Sequence, residues 1–178
     1  LGDRPHGEVI PLPGEDPKKY DYLKGKWPGL HSFRGAREAA RQAYQMAGIK
    51  DPLREIDFVE VHDAYASSEL QTYEDMGFCL YGQGGRWVDE GGPYIGGQLP
   101  VNPSGGLIAC GHPVGATGIM QGVFTLWQLQ DAMAKHCSDP ALGIDGSKIQ
   151  VKGARRGACH SHAGTGTYIT VNIFERPE

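Results

Sequence analysis

Val101-Asn102-Pro103-Ser104-Gly105-Gly106-Leu107-Ile108-Ala109-Cys110-Gly111-His112-Pro113-Val114-Gly115-Ala116-Thr117-Gly118 is the stretch around which the chain is organised. Gly105, Gly106, Gly111, Gly115 and Gly118 let the backbone take positive φ or pass close to a ligand. Pro113 fixes φ directly after His112, so a stiff turn presents the imidazole. From Ala116 the pattern turns helical, and the first N–H groups of a helix are unpaired and partly positive. An imidazole beside such a start suits a reaction in which an oxygen becomes negative. The competing reading is a glycine-rich turn with an incidental histidine ahead of a core helix.

Downstream, Ala116 to about Ala134 reads as a helix that is apolar nearly all round, through Ile119, Met120, Val123, Phe124, Leu126, Trp127, Leu129 and Met133. Such a helix is normally sandwiched between layers. Residues 135–149 read as a polar connection. Gln150 to Lys152 and Tyr168 to Phe174 read as strands around a second glycine loop, Cys159-His160-Ser161-His162-Ala163-Gly164-Thr165-Gly166.

Upstream, Ile56 to Val61 is an apolar run expected as a buried strand ending at His62-Asp63, with Asp63 placed to cap a helix from Ala64 to Met76. That helix carries Ala66, Leu70, Tyr73 and Met76 on one stripe. Before the strand, Ala36, Ala39, Ala40, Ala43 and Ala47 recur on one face of a helix from Arg34, and Gly48 is placed to stop it. Small alanines imply close packing against a sheet. Helix, strand, helix in that order points to a layered α/β fold. Ligand crevices in such folds lie at the carboxyl ends of strands, where His62, Asp63 and Tyr65 fall. Residues 77–100 are glycine-dense and read as one long loop, a lid or contact surface.

Residues 1–31 are expected to form an irregular arm, broken by Pro5, Pro11, Pro13, Pro17 and Pro28, with only Glu8-Val9-Ile10 able to form a short strand. Lys18, Lys19, Tyr20, Tyr22, Lys24, Lys26 and Trp27 in that arm suit either a phosphate-bearing ligand or a solvated surface. Residues 32–178 are expected to form the domain proper.

The bulk properties fit about one domain. The 178 residues suffice for a real core, and 27 glycines are about twice the usual share. A net charge of −4 with an isoelectric point near 6.0 argues against nucleic acid as a partner. No run of 18 apolar residues offers a membrane span. The four cysteines, Cys79, Cys110, Cys137 and Cys159, lack paired spacing, so neither a disulfide framework nor a zinc module is signalled, and a cytoplasmic setting is expected. The chain opens at Leu1, which hints at an N-terminus lying upstream or removed. Cys110 reads as a small buried thiol, and Glu60, Glu69 and Asp75 as ordinary strand-edge and helix charges. Alternating side-chain directions along a strand argue against a metal held by Cys159, His160 and His162, so no metal is expected.

Three ordered motifs carry a resemblance: His62-Asp63-Ala64-Tyr65, Asn102-Pro103-Ser104-Gly105-Gly106, and Gly111-His112-Pro113-Val114-Gly115-Ala116-Thr117-Gly118. Together, over roughly Arg34 to Phe174, they resemble the C-terminal half of a thiolase, nearest the sterol-carrier-protein branch and its bacterial and archaeal relatives. The resemblance implies an α/β, thiolase-like layered fold, a βαβαββ half whose central helix is buried against its counterpart. It implies that His112 helps to activate a nucleophilic cysteine and binds the thioester oxygen, and that His62 shares that oxyanion site. Asp63, Gly106, Gly111 and Gly164 would line the substrate and coenzyme A.

The nucleophilic cysteine of the family belongs to the N-terminal half, so a separate polypeptide or the remainder of the chain would supply it. Ala64 and Tyr65 stand where the branch often has Cys-Phe, and His162-Ala163-Gly164 replaces the late Cys-x-Gly motif. His162 would then move the proton, as an imidazole titrating near neutral pH can, while Tyr65 is either a packing aromatic or a second proton carrier. The tyrosine resembles thiolase-like aldolases that cleave a β-hydroxyacyl-CoA and work with a small partner bearing a zinc ribbon and an OB-fold. The implied activities are therefore (reverse) Claisen chemistry on a 3-ketoacyl-CoA, retro-aldol cleavage, or a non-catalytic scaffolding half. Coenzyme A is implied as a substrate, with no permanently bound cofactor, and homodimerisation of the thiolase unit is implied.

Overall fold

The computed structural model describes residues 7–29, 32–164 and 166–177. Pro5 of the expected arm, Leu1 and Thr165 of the second glycine loop lie outside them. The elements are α1 (Arg34–Ala47), α2 (Pro52–Glu55), β1 (Phe58–Glu60), α3 (Ala66–Asp75), α4 (Gly84–Asp89), α5 (Gly106–Cys110), α6 (Thr117–Leu129), α7 (Met133–Cys137), β2 (Arg156–Ala163) and β3 (Tyr168–Glu175). The sheet runs β1-β2-β3: β1 and β2 are parallel, with Phe58 opposite Gly157 and Glu60 opposite Cys159, and β3 returns antiparallel. Val101 adds an isolated parallel bridge to Val59. Helix α1 covers β3 and helix α6 covers β2, giving a layered α/β arrangement. Parallel pairing brings the carboxyl ends of β1 and β2 to one edge, which is what positions the site.

Helix α1 follows its alanine pattern closely. Ala36, Ala40 and Ala43 are buried, and Gly48 ends the helix in the left-handed region at φ 70°. The main core joins Tyr44, Ile49, Val59, Met76, Phe78 and Leu99. No helix among the described residues is long and apolar enough to cross a membrane.

Several expectations are corrected. The strand expected over Ile56 to Val61 is limited to Phe58–Glu60. Asp63 does not cap the next helix; α3 starts at Ala66 with Tyr65 at its cap, because the Asp63 carboxylate accepts the backbone N–H of Leu107 at 2.8 Å. Ala66 is exposed, whereas Ser68, Thr72 and Asp75 join Tyr73 and Met76 in being buried. Residues 77–100 are not one loop: α4 forms within them, and Trp87 and Leu99 enter the core. The stretch from Gly106 contains a short helix, α5, that periodicity over five residues cannot reveal.

Two corrections bear on the site. Gln150 to Lys152 is not a strand; Gln150 instead donates to the Gln128 carbonyl at 2.9 Å. The strand is Arg156–Ala163, which takes in most of the expected glycine loop and is formed by pairing on both sides rather than by an apolar run. The helix expected to Ala134 ends at Leu129, and its inner face is polar: Thr117, Gln121, Thr125 and Gln128 are buried. Gln121 donates to the His160 carbonyl at 3.0 Å and Gln128 to the Ile149 carbonyl at 2.6 Å. Ile119 and Leu126 face outward, 72% and 43% exposed.

Glu8-Val9-Ile10 forms no strand. Residues 7–29 nevertheless pack firmly, through a second cluster of Ile10, Tyr20, Trp27 and Tyr81. The fully buried Arg37 guanidinium ties them down, donating to the Ile10 carbonyl at 2.7 Å, to the Tyr20 hydroxyl at 3.1 Å and to the Glu15 carboxylate. Tyr20 and Trp27 are thus buried core residues rather than parts of a solvated surface.

Candidate active site

Three imidazoles from three separate segments meet at the strand ends. His62 follows β1 and is 4% exposed; its ring centre is 4.8 Å from that of His112, edge-on, and 4.0 Å from that of His162. His162 comes from the end of β2, with the Phe33 ring 5.3 Å away on its other flank. Burial, reinforced by the neighbouring imidazoles His162 and His112, pushes His62 down to about 4, and burial likewise lowers His162. Both rings are therefore neutral near pH 7. Their Nδ1 atoms are buried and have no hydrogen-bond partner among the described residues. Buried polar atoms of that kind favour a polar ligand group.

His112 is held by the first residue of α6. Its Nδ1 lies 2.6 Å from Thr117 Oγ1, which also donates to the Pro113 carbonyl at 3.2 Å. A hydroxyl has one proton to give, so Thr117 accepts Nδ1–H and the lone pair of His112 falls on Nε2. This tautomer makes Nε2 an acceptor or base.

The loop before His112 is fixed to β1 by two buried carboxyl groups. Asp63 accepts from Leu107, and a Cβ added at Gly106, where φ is 65°, would lie 2.2 Å from Asp63 Oδ2, so only glycine fits. Glu60 accepts the Ser104 hydroxyl at 2.7 Å and the Ser104 N–H at 3.3 Å. Asn102, at φ 49°, accepts the Val61 N–H at 2.7 Å and donates to Glu69 at 3.2 Å.

The other expected site residues are placed as follows. Tyr65 caps α3 three residues after His62, with its side chain 74% exposed. Gly111 takes φ 81° with open space around a would-be Cβ, and Gly164 forms the exposed turn after β2 at φ 58°. Gly115 has no positive φ and no close neighbour. Gly118 packs closely, since a Cβ there would meet the Ser161 hydroxyl at 3.3 Å. Cys110 is exposed rather than buried. Glu60 and Asp75 are buried, not edge charges, and Glu69 is half-buried. Burial pushes both Glu60 and Asp75 up to about 7.

Sequence reasoning missed Glu60, Thr117 and Phe33. Glu60 in a run of apolar residues was the available signal, since an acid within a buried strand needs a donor. It also missed His160, fully buried with both ring nitrogens unpartnered among the described residues and its ring 5.7 Å from His162. Burial and the neighbouring imidazoles push it down to about 3. Among the described residues no group of three His, Cys, Asp or Glu side chains is arranged to hold a metal.

The family model described as thiolase C-terminal domain-like matches residues 24–176. The chain belongs to the thiolase C-terminal domain family. It is 43% identical to acetyl-CoA acetyltransferase of Methanothermobacter thermautotrophicus over 138 residues, covering 78% of this chain and 32% of that protein. It is 38% identical to sterol carrier protein 2 of Homo sapiens over 143 residues, covering 80% of this chain and 23% of that protein. The chain thus spans about a third or less of these relatives. A solved structure named Ltp2-ChsH2(DUF35) aldolase shares the fold, with a TM-score of 0.60 over 85% of this thiolase domain and 34% of that chain, at 19% identity.

Proposed function

We propose that this domain is the C-terminal half of a thiolase-like acyl-CoA enzyme that makes or cleaves a carbon–carbon bond of a 3-ketoacyl-CoA. The reading is carried by the convergence of His62, His112 and His162 on one space at the strand ends. In the cleavage direction, a cysteine thiolate supplied from the N-terminal half attacks the keto carbon. The bond to the α-carbon breaks, and its electrons pass to the thioester oxygen. His112 Nε2 takes the thiol proton of the cysteine and then donates that N–H to the oxygen as it becomes negative, with a ring N–H of His62 beside it. Tyr65, or His162 once it has accepted a proton, returns a proton to the departing carbon; coenzyme A then takes the acyl group from the cysteine, and its thiol proton restores the donor. Asp63 and Gly106 keep the His112 loop against β1, and Gly111 and Gly164 leave backbone room for the acyl-CoA.

The outward apolar side chains of α6 and its approach, Val114 at 85%, Ile119 and Leu126, suit a covering polypeptide. The N-terminal half, on a separate chain or on the remainder of this one, is the proposed occupant. A small OB-fold and zinc-ribbon protein and a second thiolase unit are the further proposed partners.

The test is turnover of a 3-ketoacyl-CoA with free coenzyme A by the complete enzyme. His112→Ala should abolish turnover while assembly persists; unchanged turnover overturns the reading. The exposed Tyr65, three residues from His62 and following Ala64 rather than a cysteine, favours one second reading: retro-aldol cleavage of a β-hydroxyacyl-CoA. Cleavage of that substrate, sensitive to Tyr65→Phe, would select it. A scaffolding role would follow if His62→Ala with His112→Ala altered stability but not rate.

A further inference from the structure

The loop that delivers His112 is anchored at a point the proposed chemistry does not use. Glu60, at the end of β1, is 1% exposed and is a carboxyl surrounded by protein. Its Oε2 accepts the Ser104 hydroxyl at 2.7 Å and its Oε1 the Ser104 N–H at 3.3 Å. The Ser104 hydroxyl oxygen in turn accepts the N–H of Gly106, at the first residue of α5, at 3.2 Å. The Ser104 carbonyl accepts the thiol of Cys110, the last residue of α5, at 3.6 Å. Gly111 and His112 follow directly. Ser104 therefore holds both ends of α5, and Glu60 holds Ser104.

The groups facing Glu60 are acids and thiols: Asp63 beyond it in the chain, Cys110 from α5, Cys137 from α7 and Cys159 opposite it on β2. No cation is within ion-pair distance of it among the described residues. A buried carboxyl without a cation is costly to ionise, and a merely structural link at this position would be served as well by glutamine.

We propose that Glu60 is a positioning residue for His112, its ionised carboxyl tightening the Ser104 anchor so that protonation of Glu60 loosens the loop that presents the imidazole. This rests on the reading that His112 works at the reacting thioester. Hydrogen bonds to a charged acceptor are about twice as strong as those to a neutral one, so the anchor strengthens as the carboxyl ionises. Burial places that change close to neutral pH, pushing the carboxyl up to about 7.

The test compares wild type, Glu60→Gln, Glu60→Ala and Ser104→Ala in the complete enzyme. Two quantities are read between pH 5.5 and 8.5 (roughly one and a half units either side of the Glu60 midpoint): kcat for the acyl-CoA reaction, and amide hydrogen exchange over residues 104–112. In wild type, exchange over these residues should slow as pH rises through about 7, after correction for the intrinsic pH dependence of exchange. In Glu60→Gln that step should vanish, and kcat above pH 7 should fall on the order of tenfold, the scale expected of a misplaced group, with KM nearly unchanged. Glu60→Ala and Ser104→Ala should exchange fast at every pH. A wild-type exchange profile in Glu60→Gln overturns the proposal, as does a profile in which Ser104→Ala keeps the step. If instead the exchange step behaves as stated but His112→Ala leaves turnover intact, the proposed function falls and the anchor stands.

Discussion

The ring of His162 lies 4.0 Å from that of His62, tilted by 40°, although one lies near the end of β2 and the other just beyond β1, far apart in sequence. Parallel pairing of β1 with β2 creates this contact, and burial then holds both imidazoles neutral. The buried ring of His160, 5.7 Å from that of His162, is pushed down further than His62, to about 3. Histidines depressed in this way contribute stability that is present above the unfolded value near 6.5 and lost as pH falls through about 4 and then 3. Glu60 and Asp75, both raised to about 7, act oppositely, because their neutral forms favour the fold below their unfolded values and that advantage is lost as pH rises to 7. The comparison must therefore be between variants. Between pH 6 and pH 4, His160→Gln should lose less stability than wild type, by roughly 1–3 kcal/mol, in denaturant titrations at each pH. Parallel curves would refute the assignment.

Gly106→Ala places a methyl group 2.2 Å from Asp63 Oδ2 on a backbone with φ 65°. The expected cost is about 2–3 kcal/mol, from strain and displacement of the Asp63 contact. Thermal denaturation should show a lower Tm, and turnover should fall because His112 shares the displaced loop. An unchanged Tm would mean that the loop is not held as described.

Arg37→Met removes a buried cation whose guanidinium serves Ile10, Tyr20, Glu15 and the Asp75 carbonyl. Breaking one side of a buried ion pair costs about 3–5 kcal/mol. Limited proteolysis should then cut within residues 7–29 well before the domain. Simultaneous loss of both regions would show a single cooperative unit instead.

Replacing Ile119 and Leu126 together by glutamate changes two exposed positions, so the fold should move by no more than about 0.5 kcal/mol at each. Association with the polypeptide that supplies the nucleophile should weaken by at least about a hundredfold, as charge at an apolar contact does. Co-purification and analytical ultracentrifugation read both effects. Undiminished association would remove α6 from the interface.

Local signals carried a large part of the fold. The alanine spacing gives α1, Gly48 its end, and Tyr168 to Phe174 all but the last residue of β3. The three ordered motifs point to the thiolase family and single out His62 and His112, because these turns are written in contiguous glycine, proline and histidine. By contrast, β2 has little apolar content at its site end, and only hydrogen bonding to β1 and β3 makes Arg156–Ala163 a strand. The apolar run of α6 does not show that its face toward β2 is polar, where Gln121 and Gln128 turn inward to satisfy carbonyls of His160 and Ile149.

From residue order alone, then, came the elements that depend on neighbours within a turn or two, and a family whose motifs are short and contiguous. Contacts between distant segments decided the rest: which nitrogens of the histidines are buried, that Glu60 and Asp63 grip the His112 loop, and that Arg37 locks residues 7–29 to the domain. A side chain's charge state and partners depend on what folds against it, and pairing partners far apart in the chain leave no periodicity for a sequence to display.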